Sequence, residues 1–292
     1  MKIIASCVLI LFAQDFPATS SLELPSPSAE LFPYHAMVKG IFRCNGILIS
    51  EDYVLTLASC INGSAQVTVY FDYRKNPMYS TSIGDPTMKV YVAQNIKIHQ
   101  DFLRTDNNGN RYLNNIALIK LPQLIHERTA KLATKVEIEM ALDENADANL
   151  TGWKASANTD LLVAAVRLSS QDTCRFLFGN EMFLNQEICI KMSHDSYPNW
   201  IGNSLSVNGK VIGLLTIKPE CAVAVNKCSR TAVVLSIAPF LRWISQHTNI
   251  PIAYFTNINA KYNNKYNEDK IEKLYKLVEE LRKAISKLQE GN

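Results

Sequence analysis

Short runs of apolar and β-branched residues, separated by polar stretches rich in Gly, Asn, Asp and Pro, recur along the chain from Tyr34 onward. A first series covers 46–50, 67–71, 90–98 and 116–121. A second covers 148–153, 161–168, 187–190, 204–207, 211–217 and 232–237. Runs this short, bounded by turn residues, predict strands, and their number predicts an all-β barrel protein. The segment 105–111, containing Asp106-Asn-Asn-Gly109, reads as a polar loop ahead of the last strand of the first series.

The pattern changes at both ends. After Pro251 an Asn/Tyr/Lys-rich bridge leads to Ile271, Leu274, Val278, Leu281, Ile285 and Leu288, spaced alternately by three and four. That seam predicts an amphipathic helix, which Asn267 can cap, Glu268 and Asp269 favour at its positive end, and Gly291 can terminate. β-Branched residues alternating with Leu suit a parallel two-stranded coil. The seam lasts under three heptads, though, and Tyr275, Leu277 and Ala284 broaden it, so docking on the barrel is an equal alternative. At the other end, Met1-Lys2 followed by an apolar run to Ala13 reads as a secretory signal, with cleavage between 13 and 21. Residues up to about 31 are rich in Ser and Pro and read as a leader.

Composition adds constraints on function. A net charge of +3 over 292 residues does not point to nucleic acid, and no later run approaches the ~18 apolar residues of a membrane span. Loss of the signal removes Cys7 and leaves Cys44, Cys60, Cys174, Cys189, Cys221 and Cys228, an even set suited to an oxidising compartment. Counting alone leaves every pairing of the six open. His and Cys spacing gives no zinc pattern and no motif implies a cofactor. Asn62-Gly-Ser64 and Asn149-Leu-Thr151 are acceptors for N-glycosylation, and Asn62 lies in a polar turn.

Three segments carry a resemblance. They are Cys44-Asn-Gly-Ile-Leu-Ile-Ser50 with Val54-Leu-Thr-Leu-Ala-Ser-Cys60, Asn114-Asn-Ile-Ala-Leu-Ile-Lys-Leu121, and Asp195-Ser-Tyr-Pro-Asn-Trp-Ile-Gly-Asn-Ser-Leu205. They resemble CGGSLIS…VLTAAHC, NDIALIKL and DSCQGDSGGPL of the chymotrypsin/trypsin-like serine proteases, and 151–153 resembles the family's TGWG strand. The resemblance implies two packed six-stranded β-barrels with a closing helix over 239–247, followed here by the C-terminal helical extension. The expected organisation is a signal and leader to about 32, a protease-homology domain over 33–248, and a linker and helix over 249–292.

At the positions that align with the catalytic histidine, aspartate and serine stand Ser59, Asn115 and Ile201. Triad hydrolysis needs an oxygen nucleophile, an imidazole to carry its proton and a buried carboxylate to orient that imidazole. Ile201 offers no nucleophile, Ser59 is no base near neutral pH, and Asn115 carries no charge. Asn199 replaces the glycine that helps form the family's oxyanion hole, and Trp200 replaces the aspartate that pairs with a newly cut N-terminus. No Arg or Lys followed by an IVGG-like start precedes Phe32, so no activation cleavage is evident. Asp195 aligns with the base of the specificity pocket of trypsin-like enzymes, while Lys218 and Ala232 replace glycines of its wall. Asp195 is therefore either a relic paired inside the molecule, Lys218 being its nearest candidate, or a retained site for a basic ligand. His99 and His194 read as structural or exposed loop histidines.

The family pairing implies Cys44–Cys60 and Cys174–Cys189. Tyr197 stands where the usual partner of Cys221 belongs, which leaves Cys228 for Cys221. Together these readings predict a secreted, non-catalytic protease homologue that binds an extracellular protein, a protease or its substrate, in an immune cascade or a reproductive secretion. Two alternatives are a serine-type hydrolase using non-standard residues and an inert platform assembled through the C-terminal helix.

Overall fold

The computed structural model describes residues 32–71, 89–105, 112–153, 161–170, 186–192, 201–217, 221–222, 227–228 and 231–256, together with isolated positions in 172–174 and 272–283. The first half of the chain forms β1 (His35–Lys39), β2 (Arg43–Ser50), β3 (Tyr53–Thr56), β4 (Thr68–Phe71), β5 (Lys89–Val92), β6 (Asn95–Ile98), the short pair β7 (Leu103–Arg104) and β8 (Tyr112–Leu113), and β9 (Ala117–Lys120). Seven of these curl into one sheet of order β5-β4-β1-β2-β3-β9-β6. The predicted strand 90–98 is thus two strands. At the break, the N–H of Ala93 donates to Val67 O at 2.9 Å and that of Gln94 to Lys120 O at 2.8 Å. The bend therefore bonds to the chain beside β4 and to the end of β9, near the sheet's two edges.

The second half supplies β10 (Asp147–Gly152), β11 (Leu162–Ser169), β12 (Glu187–Met192), β13 (Ser204–Val207), β14 (Lys210–Ile217) and β17 (Thr231–Ser236), with β15 (Cys221–Ala222) and β16 (Lys227–Cys228) as a separate two-stranded ribbon. The six longer strands close into a barrel of order β10-β11-β12-β17-β14-β13. The tight link between β13 and β14 is Asn208-Gly209, with φ of 50° and 73° between the paired Val207 and Lys210. Two consecutive left-handed residues are what a two-residue hairpin needs to follow the strands' twist, and Asn-Gly meets that need with little strain. The antiparallel strands enclose a core that runs through both sheets, with Ile47, Leu55, Phe71 and Ile119 in the first and Leu150, Ile190, Leu205 and Val234 in the second.

Three helices pack on or between the sheets: α1 (Ala58–Ile61), α2 (Lys135–Asp143) and α3 (Leu241–His247), the last entered through a 3-10 turn at Ala238–Phe240. The closing helix thus falls within the expected 239–247, held by buried Phe240, Leu241, Trp243 and Ile244. α2 lies in a span for which the sequence reading predicted no element. Its start is a capping box, in which the Glu137 N–H donates to Thr134 Oγ1 at 3.3 Å and the Thr134 N–H to Glu137 Oε2 at 2.9 Å. A short further helix, α4 (Ile252–Thr256), follows Pro251. Of the tail seam, Val278 is described; it is helical and exposed, as is Leu277 beside it. Ile271, Leu274, Leu281, Ile285 and Leu288 lie outside the described residues, as does the leader.

Candidate functional site

The three aligned positions converge around the start of β2. Ser59 sits in α1, directly before Cys60, which is bridged to Cys44 with 6.0 Å between their Cα atoms. Its backbone N–H donates to Asn115 Oδ1 at 2.7 Å. Asn115 is only 4% exposed. Its neighbour Asn114 holds it in place from a left-handed backbone, φ 49°. Asn114 exchanges two hydrogen bonds with Gln186, its N–H to Gln186 Oε1 at 3.0 Å and Gln186 Nε2 to its Oδ1 at 2.7 Å. Asn114 Nδ2 also donates to Asp101 O at 2.9 Å. Neither Asn114 nor Gln186 was singled out from sequence.

Ile201 is fixed through its backbone. The N–H of Asn45, next to Cys44, donates to Ile201 O at 2.8 Å. The Ile201 side chain is partly buried and packs against the main core. Gly202 follows with φ 87°, and a side chain there would run into the carbonyl of Asn45, so both conformation and space require glycine. Asn45 and Asn203 occupy places that are glycine in the resembling motifs. Their amides meet, Asn45 Nδ2 donating to Asn203 Oδ1, with both side chains fully buried. Asn203 in turn lies against Gly152, where no Cβ could be accommodated. Backbone hydrogen bonds thus tie Ser59 to Asn115 and Ile201 to Asn45, and two carboxamides fill space beside them.

A serine–histidine contact lies elsewhere in this region. Ser204 Oγ is 3.0 Å from His35 Nε2. Both side chains are buried, His35 being 1% exposed. Burial lowers His35 to about 3, so the ring is neutral at physiological pH. Tyr34 stacks on it at 5.0 Å between ring centroids, and Trp153 meets it edge-on at 6.2 Å. Burial also pushes the Tyr34 hydroxyl up to about 12, opposed by a hydrogen bond with Ser204. Among the described residues His35 Nδ1 has no hydrogen-bond partner.

The other predicted residues fall as follows. Ala232 is fully buried in β17, opposite Ile190. Asp195, Lys218, Asn199, Trp200, His194 and Tyr197 lie outside the described residues. Cys174 and Cys189 are bridged, with Cα atoms 6.1 Å apart. The backbones of Cys221 and Cys228 stand directly opposite each other in the β15–β16 ribbon. Asn62 is exposed at the end of α1, and Asn149 is exposed on β10 beside an open groove of about 510 Å³. His99 packs between Phe240 and Trp243, at 5.5 and 5.2 Å between centroids, and so ties the closing helix to the first sheet. Among the described residues no group of His, Cys, Asp and Glu could hold a metal, and no helix is long and apolar enough to cross a membrane.

A curled antiparallel sheet and a closed six-stranded barrel, joined by one core and sealed by a C-terminal helix, define the two-barrel class of the trypsin-like proteins. The chain belongs to the trypsin family, whose model matches residues 25–244. It is similar to chymotrypsin-2 of Vespa crabro, with 24% identity across 74% of this chain and 94% of that protein. It is also similar to a collagenase of Hypoderma lineatum, with 24% identity across 83% of this chain and 98% of the other. The solved structure of HL collagenase superposes with a TM-score of 0.62 at 21% identity, covering 77% of this chain and 97% of that one, which bears on the fold alone.

Proposed function

We propose that this trypsin-family chain is a non-catalytic homologue that acts by binding another protein in the extracellular space. The observation that carries the reading is the Ser59–Asn115 hydrogen bond. The acceptor that orients an imidazole in active relatives is retained as an uncharged carboxamide, bonded to the main chain of a residue that is no base. Ile201, with an aliphatic side chain, occupies the place from which a nucleophile acts. Base, carboxylate and nucleophile work as a unit, so losing all three removes more than any one of them supplies.

One observation favours a second reading, hydrolysis through Ser204 and His35, because a serine hydroxyl 3.0 Å from an imidazole is the elementary nucleophile–base pair. Three features support the structural role instead. Ser204 is buried with no accessible surface for a peptide carbonyl to approach, His35 is shifted far below the pH at which it would exchange protons usefully, and among the described residues its Nδ1 has no carboxylate partner. A fluorophosphonate probe tests both readings. Absence of labelling, and of peptidase turnover before and after trypsin treatment, is the expected result; labelling at Ser204 establishes the hydrolase.

Secretion is part of the proposal, supported by the apolar N-terminal run of the sequence and by the Cys44–Cys60 and Cys174–Cys189 disulfides. The partner is an extracellular protein, a protease or its substrate, and the process an immune cascade or a reproductive secretion. The seam through Val278 provides a means of assembly, supported by the exposure of Leu277 and Val278. Sedimentation of the full chain beside Val278→Asp tests it: assembly that survives the charge lies outside the seam, and two monomers exclude self-pairing.

A further inference from the structure

The tip of the β1–β2 hairpin carries an apolar surface that no described residue covers. Ile41 is 57% and Phe42 60% exposed. The tip is held firmly, however. The Ile41 N–H donates to Ser64 Oγ at 2.8 Å, the Phe42 N–H to Cys60 O at 3.4 Å, and the Gly40 N–H to Phe42 O at 3.0 Å. The Cys44–Cys60 bridge fastens the base of the same hairpin to α1. Two adjacent large apolar side chains are therefore presented to water from a backbone bonded on both sides.

One of the two groups that hold the tip belongs to an acceptor triplet. Asn62-Gly63-Ser64 begins two residues after the other anchor, Cys60, and its serine hydroxyl is the group that receives the Ile41 N–H. Gly63, at φ 77°, turns the chain so that a Cβ there would stand 3.3 Å from Ile41 Cδ1. Asn62 is exposed, and its own backbone is fixed by donation to Ala58 O at 2.8 Å. We propose that an N-linked glycan on Asn62 covers Ile41 and Phe42, the apolar face of its first N-acetylglucosamine lying on the Phe42 ring. The proposal rests on the reading of Asn62 as a glycosylation acceptor in a secreted chain. Attachment joins Asn62 Nδ2 to the anomeric carbon of a polyprenyl-diphosphate-linked oligosaccharide. The sugar–phosphate bond breaks, polyprenyl diphosphate leaves, and the amide gives up one proton.

Size favours a sugar over a protein here. A stable protein interface takes roughly 800 Å² from each partner. Two half-exposed side chains offer about a quarter of that, on the scale of one or two sugar rings. Shielding a fixed aromatic face from water stabilises the folded chain without an ordering cost at the hairpin, whose backbone is already bonded. Asn149, the second acceptor triplet in the sequence, provides an internal control, because its strand-side groove is lined by Ala165, Val166 and Met192 and, among the described residues, by no aromatic ring.

The test uses the full chain secreted from a eukaryotic host, with Asn62→Gln, Phe42→Ser, their combination and Asn149→Gln. The peptide containing Asn62 is expected to carry N-acetylhexosamine. Asn62→Gln should lower the Tm by about 2 to 4 °C, the scale of one modest contact in a domain of this size. That loss should vanish in the Phe42→Ser background, and enzymatic trimming to a single N-acetylglucosamine should not cause it. Magnetisation transfer between Phe42 ring protons and the sugar provides a readout that does not depend on stability. An occupied Asn62 whose loss costs the same with or without Phe42, and no ring–sugar contact, overturns the coverage while the acceptor reading stands. An unmodified Asn62 overturns both.

Discussion

The N–H of Ser59 donates to Asn115 Oδ1 across 56 residues of sequence, at 2.7 Å. An acceptor oxygen at position 115 is needed whether or not catalysis occurs, since the donor lies at the start of a short helix with no side-chain cap. Asparagine keeps that oxygen and sheds the charge, which without an imidazolium nearby would be an uncompensated cost at a buried site. Asn115→Ala is therefore expected to destabilise the fold by about 1–3 kcal/mol, the penalty for stranding a buried donor. Urea denaturation measures it. A change within ~0.5 kcal/mol would show that water or another group replaces the oxygen.

Acid should weaken this protein earlier than its carboxylates alone would dictate. His35 has a folded-state pKa of about 3, below its ordinary 6.5, because burial disfavours the charged ring. His99 is shifted in the same direction, by burial first, with Asp101 opposing and His247 adding to it. A histidine depressed on folding binds more protons in the unfolded chain, so its contribution is complete above about 6.5 and is lost as pH falls towards the folded value. For His35 the slope approaches about 1.4 kcal/mol per pH unit below that point. Stability measured in urea at pH 7.5, 6 and 5 should decline on this slope, and His35→Gln should flatten it. An unchanged slope in that variant would place the sensitivity elsewhere.

Much of the architecture is legible in the sequence because its signals are local. The runs at 148–153, 161–168, 204–207 and 211–217 fall on β10, β11, β13 and β14 within a residue or two. What the pattern misses has physical causes. β1 and β3 are so thoroughly buried that alternation disappears. No Gly or Pro marks the bend at Ala93-Gln94 that splits β5 from β6. In α2 only Ile138 and Ala141 are fully buried while Val136, Met140 and Leu142 are partly exposed, and the Thr134/Glu137 box was the clearest signal. At the site, aligned motifs place Ser59, Asn115 and Ile201, whereas the Asn45–Asn203 contact joins residues 158 apart and the Asn114–Gln186 contact residues 72 apart. No spacing rule reaches such pairs.

That asparagine pair gives a further expectation. Among the described residues each amide already leaves one polar atom without a partner, Asn45 Oδ1 and Asn203 Nδ2. Asn45→Ala or Asn203→Ala alone strands the surviving amide further and should cost about 1–3 kcal/mol. The double variant should cost less than the sum, by ~1 kcal/mol, since it removes both buried polar groups together. Strict additivity in a double-mutant cycle would mean the two amides do not depend on each other.

The ribbon formed by β15 and β16 sets Cys221 opposite Cys228. Peptide mapping without reductant is expected to find them joined. Replacing both by Ser should cost less than the loss of Cys44–Cys60, because the closed loop is shorter and constrains the unfolded chain less. Either cysteine recovered free, or linked to a second chain, refutes the pairing.

Restoring the triad should not restore the enzyme. Ser59→His, Asn115→Asp and Ile201→Ser together put the reacting groups at the three aligned positions, whose backbones are bonded through Asn45 N–H to Ile201 O and residue 59 N–H to the residue 115 side chain. The stabilisation of the transition state does not return with them. In the family the oxyanion is held by the N–H of the nucleophile and of a glycine two residues earlier, and here that residue is Asn199, followed by Trp200 in place of the aspartate that orders the segment. Loss of a single oxyanion donor costs about 10²- to 10³-fold in kcat. The buried Asn45–Asn203 pair adds bulk immediately beside residue 202. The triple variant is expected to label slowly with a fluorophosphonate and to turn over peptide ester substrates at least about a hundredfold below active family members. Adding Asn199→Gly and Trp200→Asp should recover part of the deficit in kcat. Full turnover from the triple variant alone would show that residues 199 and 200 do not limit the site.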